Sequence, residues 1–145
     1  MGGNFRLDPI QAALLLVKLP RLQEWSEARR RNAAYYNERF NGTPIVRPYI
    51  RPDCVSIYNQ YVIRSSNRDA LIMHLKEKGI GCEVYYPVPL HEQDCFAHLG
   101  YKPTDAPQSS AAAREVVAIP VYPELTKEQL DIVASTVLAG VQTHP

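Results

Sequence analysis

Twelve prolines in 145 residues constrain this chain more than any other feature, because each removes a backbone donor and holds φ at about −65°. They gather between Pro44 and Pro52 and again from Pro87 to Pro123, so loops must lie there. Pro9 and Pro20 stand elsewhere for local reasons. Asp8-Pro9 reads as an N-cap followed by proline at the first helical position, where its missing N–H costs nothing. Ile10, Ala13, Leu14 and Val17 then follow helical spacing until Pro20 kinks or restarts the helix. From Arg21 a second helix carries Leu22, Trp25, Ala28, Ala33, Tyr36 and Phe40, and Asn41-Gly42 closes it. So long an apolar stripe exceeds what one small domain needs to cover. The pair is expected to pack on something else.

Beyond the first proline cluster the period changes. From Cys54 to Ser65, Val55, Ile57, Asn59, Tyr61 and Ile63 alternate with Ser56, Tyr58, Gln60, Val62 and Arg64, which predicts a strand. Asn67 is expected to cap a helix with Leu71, Ile72 and Leu75 inward, ended by Gly79. Gly81 to Tyr86 reads as a second strand stopped by Pro87. A short helix is expected from Glu92 to Leu99, another from Ala111 to Glu115, and a third strand from Val116 to Ile119. Thr126 with Gln129 makes a capping box for a last helix with Leu130, Val133, Val137 and Leu138 inward. The sum is an α+β fold: a helical segment over residues 1–42, then a small sheet with helices on one face over residues 43–145.

Charge and composition exclude several classes. Sixteen Lys and Arg nearly balance fifteen Asp and Glu, so neither nucleic acid nor a membrane surface is drawn in by charge. No apolar run approaches the ~20 residues a membrane helix needs, and Ala12 to Val17 has no signal-peptide surroundings. Three cysteines at unrelated spacings argue against a disulfide framework and fit a reducing, cytoplasmic compartment. No phosphate-binding or dinucleotide glycine motif is present. His91, Cys95 and His98 could share a helix face, but three ligands on one short helix rarely close a tetrahedral metal site. The segment Tyr85-Tyr86-Pro87-Val88-Pro89-Leu90-His91 places two phenols and an imidazole on a stiff loop after a strand. On the residues alone, packing of the phenols is the favoured reading and display toward a ligand the alternative.

The opening Gly3, Asn4, Arg6 and Leu7, then Gln11 to Ala13, then Trp25, Arg29, Ala33 and Tyr36, resemble one family in order. Arg68-Asp69, Leu71, Leu75 and Gly79-Ile80 continue the match, as do Tyr86-Pro87 and Pro89-Leu90-His91. Pro120 with Tyr122 to Thr126 and Glu128-Gln129 completes it. The chain thus resembles the C-terminal part of aminotransferases of the DegT/DnrJ/EryC1/StrS type. The resemblance implies amino transfer, usually from glutamate, to a nucleotide-linked keto-sugar, with pyridoxal phosphate (PLP) as electron sink on a lysine. It implies a dimer with active sites at the subunit boundary, Asn4 near the partner's cofactor phosphate, and Tyr86 and His91 bordering the sugar nucleotide. Arg6 either supports the phosphate or forms an ion pair within the helix hairpin.

The family's Schiff-base lysine belongs to a large domain upstream, and Lys18, Lys76, Lys78, Lys102 and Lys127 stand in none of its contexts. No catalytic residue is therefore assigned to this chain. Ser109-Ser110 stands where the family shows an Ala-Glu pair. Two readings follow: part of a sugar aminotransferase that needs a large domain, or a free-standing, non-catalytic binding or dimerisation module.

Overall fold

The computed structural model describes residues 6–142. Helix α1 spans Pro9–Lys18 and opens as the cap predicts, with Asp8 Oδ1 accepting from the Ile10 amide at 2.8 Å. Pro20 interrupts it with one 3₁₀ turn, and α2 follows over Leu22–Arg39. Gly42 takes the left-handed φ of 71° that lets the chain turn away after α2. Strand β1 is Tyr61–Arg64, α3 is Arg68–Glu77, α4 is Pro107–Glu115, β2 is Val116–Ile119 and α5 is Lys127–Gln142.

The two strands pair antiparallel with Tyr61 opposite Ile119 and Arg64 opposite Val116. Single bridges extend the sheet on both sides, Val46 to Arg64 and Glu83 to Ala118. The result is the α+β arrangement expected, yet both upstream strands are shorter than the alternation predicts. Of Cys54–Ser65 only Tyr61–Arg64 is strand, and Val55 and Ile57 are exposed. Of Gly81–Tyr86 only Glu83 bridges. Pro120 explains one end of the second correction: like Ala118 it faces the Glu83 side, opposite Gly81, and it has no N–H to continue that ladder.

Two helix expectations also need correction. The Asn67 side chain makes no cap bond, because its backbone (φ −115°, ψ 55°) is off the extended conformation from which a cap reaches back. The segment near Glu92 to Leu99 forms 3₁₀ turns, Leu90–Glu92 and Asp94–Leu99, confined between prolines and ended by Gly100 at φ 71°. The capping box holds: Thr126 N donates to Gln129 Oε1 at 3.0 Å, and Gln129 N to Thr126 Oγ1 at 3.2 Å.

The core joins α2 to both strands and to α3 and α5. Ala33, Tyr36 and Phe40 pack with Tyr61, Ile63, Leu71, Leu75, Val117 and Val137. The Tyr36 ring lies 5.8 Å from Phe40 and 5.2 Å from Tyr61. Each buried phenol finds an acceptor: Tyr36 donates to Pro120 O at 2.9 Å, and Tyr61 to Asn37 Oδ1 at 2.7 Å. Helix α1 buries nothing. Ile10, Leu14 and Val17 are 74%, 61% and 78% exposed, so the α1 part of the stripe is bare. Helix α2, expected with it to cover another surface, buries Ala33, Tyr36 and Phe40 in this chain's own core.

Candidate functional site

The loop after Glu83 is fixed at its start by the paired bonds to Ala118, Glu83 N to Ala118 O at 3.2 Å and Ala118 N to Glu83 O at 2.7 Å. Pro87 and Pro89 then stiffen it before the Leu90–Glu92 turn brings the chain back toward α4. A groove of about 540 Å³ opens between the two. Tyr85, Tyr86, Val88 and Leu90 form its loop wall, and Ala112 and Val116 its floor. The two tyrosine rings meet edge to face at 6.2 Å. Tyr86 is 76% exposed, so its phenol is displayed rather than packed, against the reading favoured on the residues alone.

His91 lies behind this wall. Its side chain is 15% exposed, and Nε2 is closed off from solvent with no hydrogen-bond partner. The nearest carboxylate oxygen, Glu92 Oε1, is 3.4 Å away. That is ion-pair range, though beyond a well-formed N–H···O bond. Ser110, 3% exposed on α4, donates its hydroxyl to the same Glu92 oxygen. The structure therefore brings together His91, Glu92 and Ser110, while Tyr86, the other site residue singled out in the sequence, lines the groove that His91 does not. Ser110 had a signal, standing where the resemblance puts a glutamate. Glu92 had none beyond its place beside His91.

Other candidates lie elsewhere. Arg6 is exposed in the lead-in to α1, and Asn4 lies outside the described residues. Among the described residues no three His, Cys, Asp or Glu side chains converge as metal ligands. Cys54 and Cys95 are exposed, while burial pushes the Cys82 thiol up, away from the reactive thiolate. No described helix is long and apolar enough to cross a membrane.

A Schiff base to PLP needs an amine that is positioned and activated, by desolvation or a neighbouring cation. Lys18, Lys76, Lys78, Lys102 and Lys127 are all exposed, and none lines the groove. The described residues do not fit that role.

A family model described as the DegT/DnrJ/EryC1/StrS aminotransferase family matches residues 1–138. The chain is 44% identical over 140 residues to a pleiotropic regulatory protein of Geobacillus stearothermophilus, covering 94% of this chain and 38% of that protein. It is 34% identical to a UDP-N-acetyl-3-dehydro-alpha-D-glucosamine 3-aminotransferase of Acidithiobacillus ferrooxidans, covering 94% of this chain and 37% of that one. In structure it is similar to DesV of S. venezuelae, solved in complex with a ketimine intermediate. That superposition has a TM-score of 0.91 at 32% identity, over 97% of this chain and 38% of DesV. An aminotransferase from Brucella abortus superposes with a TM-score of 0.85 at 35% identity, over 94% of this chain and 36% of that one. The chain thus spans little more than a third of the relatives it matches. Because the match runs from the opening helices through the groove loop into the last helix, the chain belongs to the DegT/DnrJ/EryC1/StrS aminotransferase family.

Proposed function

We propose that this chain is the C-terminal portion of a PLP-dependent aminotransferase acting on nucleotide-linked keto-sugars. In that reading it supplies a substrate-side wall and a docking helix, and it is inactive alone. PLP in the complete enzyme provides the electron sink. The groove between the Tyr85–His91 loop and α4 borders the sugar nucleotide, with Tyr86 as its contact and His91 bracing the wall from behind. The bare stripe of α1 covers the large domain, and Asn4 and Arg6 lie toward the cofactor phosphate of a partner subunit. One observation carries the reading: every described lysine is exposed and away from the groove, in a chain that matches about 38% of its relatives. The sugar-directed part of the proposal is supported by the aminotransferase named for a UDP-linked substrate.

The test is direct. The purified chain is mixed with PLP, freed of excess, reduced with borohydride and mapped by peptide mass. No lysine should carry the cofactor in stoichiometric yield. One lysine labelled to completion would show that the chain positions an amine by itself, and the inactive-alone reading would fall. Co-expression with a large domain of the family should restore amino transfer. A chain that binds ligands but restores nothing would be the free-standing module instead.

A further inference from the structure

We propose that Glu92 and Ser110 are positioning residues for His91. Ser110 orients the Glu92 carboxylate, and that carboxylate accepts the Nε2 proton, holding the imidazole in one tautomer with Nδ1 as its acceptor. Three observations carry this. His91 Nε2 is closed off from solvent without a hydrogen-bond partner, a costly state unless a partner stands close. Glu92 Oε1 stands 3.4 Å away, within ion-pair range, and is the carboxylate oxygen beside that nitrogen. The same oxygen already accepts from Ser110, which is 3% exposed on α4, a separate element 18 residues further along the chain.

The chemistry favours this direction of donation. A carboxylate only accepts, so the histidine nitrogen facing it must carry the proton. The Ser110 hydroxyl has one proton; Pro103 O lies 3.3 Å from it, but the charged oxygen is the stronger acceptor. Fixing a histidine through the hydrogen bond at one ring nitrogen determines what the other nitrogen can do. Leu90, Gln93 and Ser109, the sequence neighbours of this trio, line the groove, so the trio braces the wall from behind. The use of His91 toward a sugar nucleotide rests on the function proposed above; the positioning itself does not.

The experiment uses the full chain with ¹⁵N-labelled histidine. At neutral pH His91 should show a dominant Nε2–H tautomer. Its ring proton should exchange at least about ten-fold more slowly than that of exposed His98. Glu92→Gln keeps the shape and removes the charge, and should lose about ten-fold of that protection. Ser110→Ala should change it in the same direction, whereas Asp94→Asn, an exposed neighbour, should leave it alone. A merely structural tie between loop and α4 would lower the melting temperature of these variants without moving the ring signal, and that result overturns the proposal. So does a freely exchanging or Nδ1-protonated His91 in the native chain, which no variant's failure to fold can obscure. A protected His91 in a chain that restores no sugar amino transfer would retain the positioning while sinking the proposed function.

Discussion

Tyr36 and Tyr61 each carry a hydroxyl into a fully buried aromatic cluster, and each is satisfied by a single acceptor. Burial first, and neighbouring phenols second, push both hydroxyls well above the ordinary tyrosine range. Their folded values lie above the unfolded value of about 10, so the stability they contribute is complete below about pH 10. It is lost as pH rises from there toward the raised folded values. Of the nine tyrosines, these two should form phenolate only together with unfolding, read by absorbance against circular dichroism. All nine titrating reversibly in the folded chain would contradict this. Tyr36→Phe should cost about 1–2 kcal/mol in urea unfolding, because it leaves the Pro120 carbonyl without its donor. Gly140 is sensitive for a different reason. A Cβ there would stand 2.9 Å from Leu71 Cδ1 and 3.0 Å from His74 Cδ2, and Leu71 is 1% exposed with nowhere to rotate. Helix propensity would favour alanine by about 1 kcal/mol, while overpacking costs about 1–3 kcal/mol. Gly140→Ala should therefore destabilise by about 1 kcal/mol net, seen as a lower urea midpoint at unchanged slope.

At the scale of elements, α1 differs from the other helices. The cap at Asp8, the proline at its first position and the spacing of Ile10, Leu14 and Val17 were all legible in the sequence. Its destination was legible only as a surplus, a stripe longer than the domain could use. The structure leaves that stripe bare, and exposed apolar patches above a few hundred Å² are rarely tolerated in isolated soluble chains. The chain should self-associate and bind a hydrophobic dye, with both reduced in a Leu14→Lys, Val17→Lys double variant. Because those side chains are 61% and 78% exposed, the variant's stability should stay within about 0.5 kcal/mol of the original. Light scattering from a strictly monomeric, dye-silent parent chain would remove the idea. The strands were less legible than the helices. Alternation over Cys54–Ser65 and the β-formers of Gly81–Tyr86 gave long candidates, and the sheet used only Tyr61–Arg64 and Glu83, with Pro120 ending the Glu83 ladder toward Gly81.

At the scale of the whole molecule, the reading as part of a larger enzyme makes a prediction that separates cofactor from substrate. Joined to a matching large domain, Asn4→Ala should weaken PLP binding about ten- to a hundred-fold, the loss of one hydrogen bond to a charged phosphate at about 1.5–3 kcal/mol. Its melting temperature without cofactor should hardly move. His91→Ala should lower turnover of the sugar substrate and leave PLP affinity alone. An Asn4→Ala chain that loses its cofactor-free fold but keeps PLP affinity would make Asn4 a structural residue and misplace the opening segment. What the sequence by itself determined here was written within about four residues, the Asn67 cap excepted: the Asp8 cap, the Thr126–Gln129 box, the turns at Gly42 and Gly79. Those bonds close inside one turn of chain, and residue type alone makes them favourable. Only the tertiary structure decided how far the strands run, because a ladder needs partners from a distant strand, and opposite Gly81 that partner is Pro120, which has no N–H to give. It alone decided, too, that Ser110 meets Glu92 from across 18 residues, beside a histidine nitrogen closed off from water. Such a contact depends on where two separate elements pack, and no local preference of serine, glutamate or histidine encodes it.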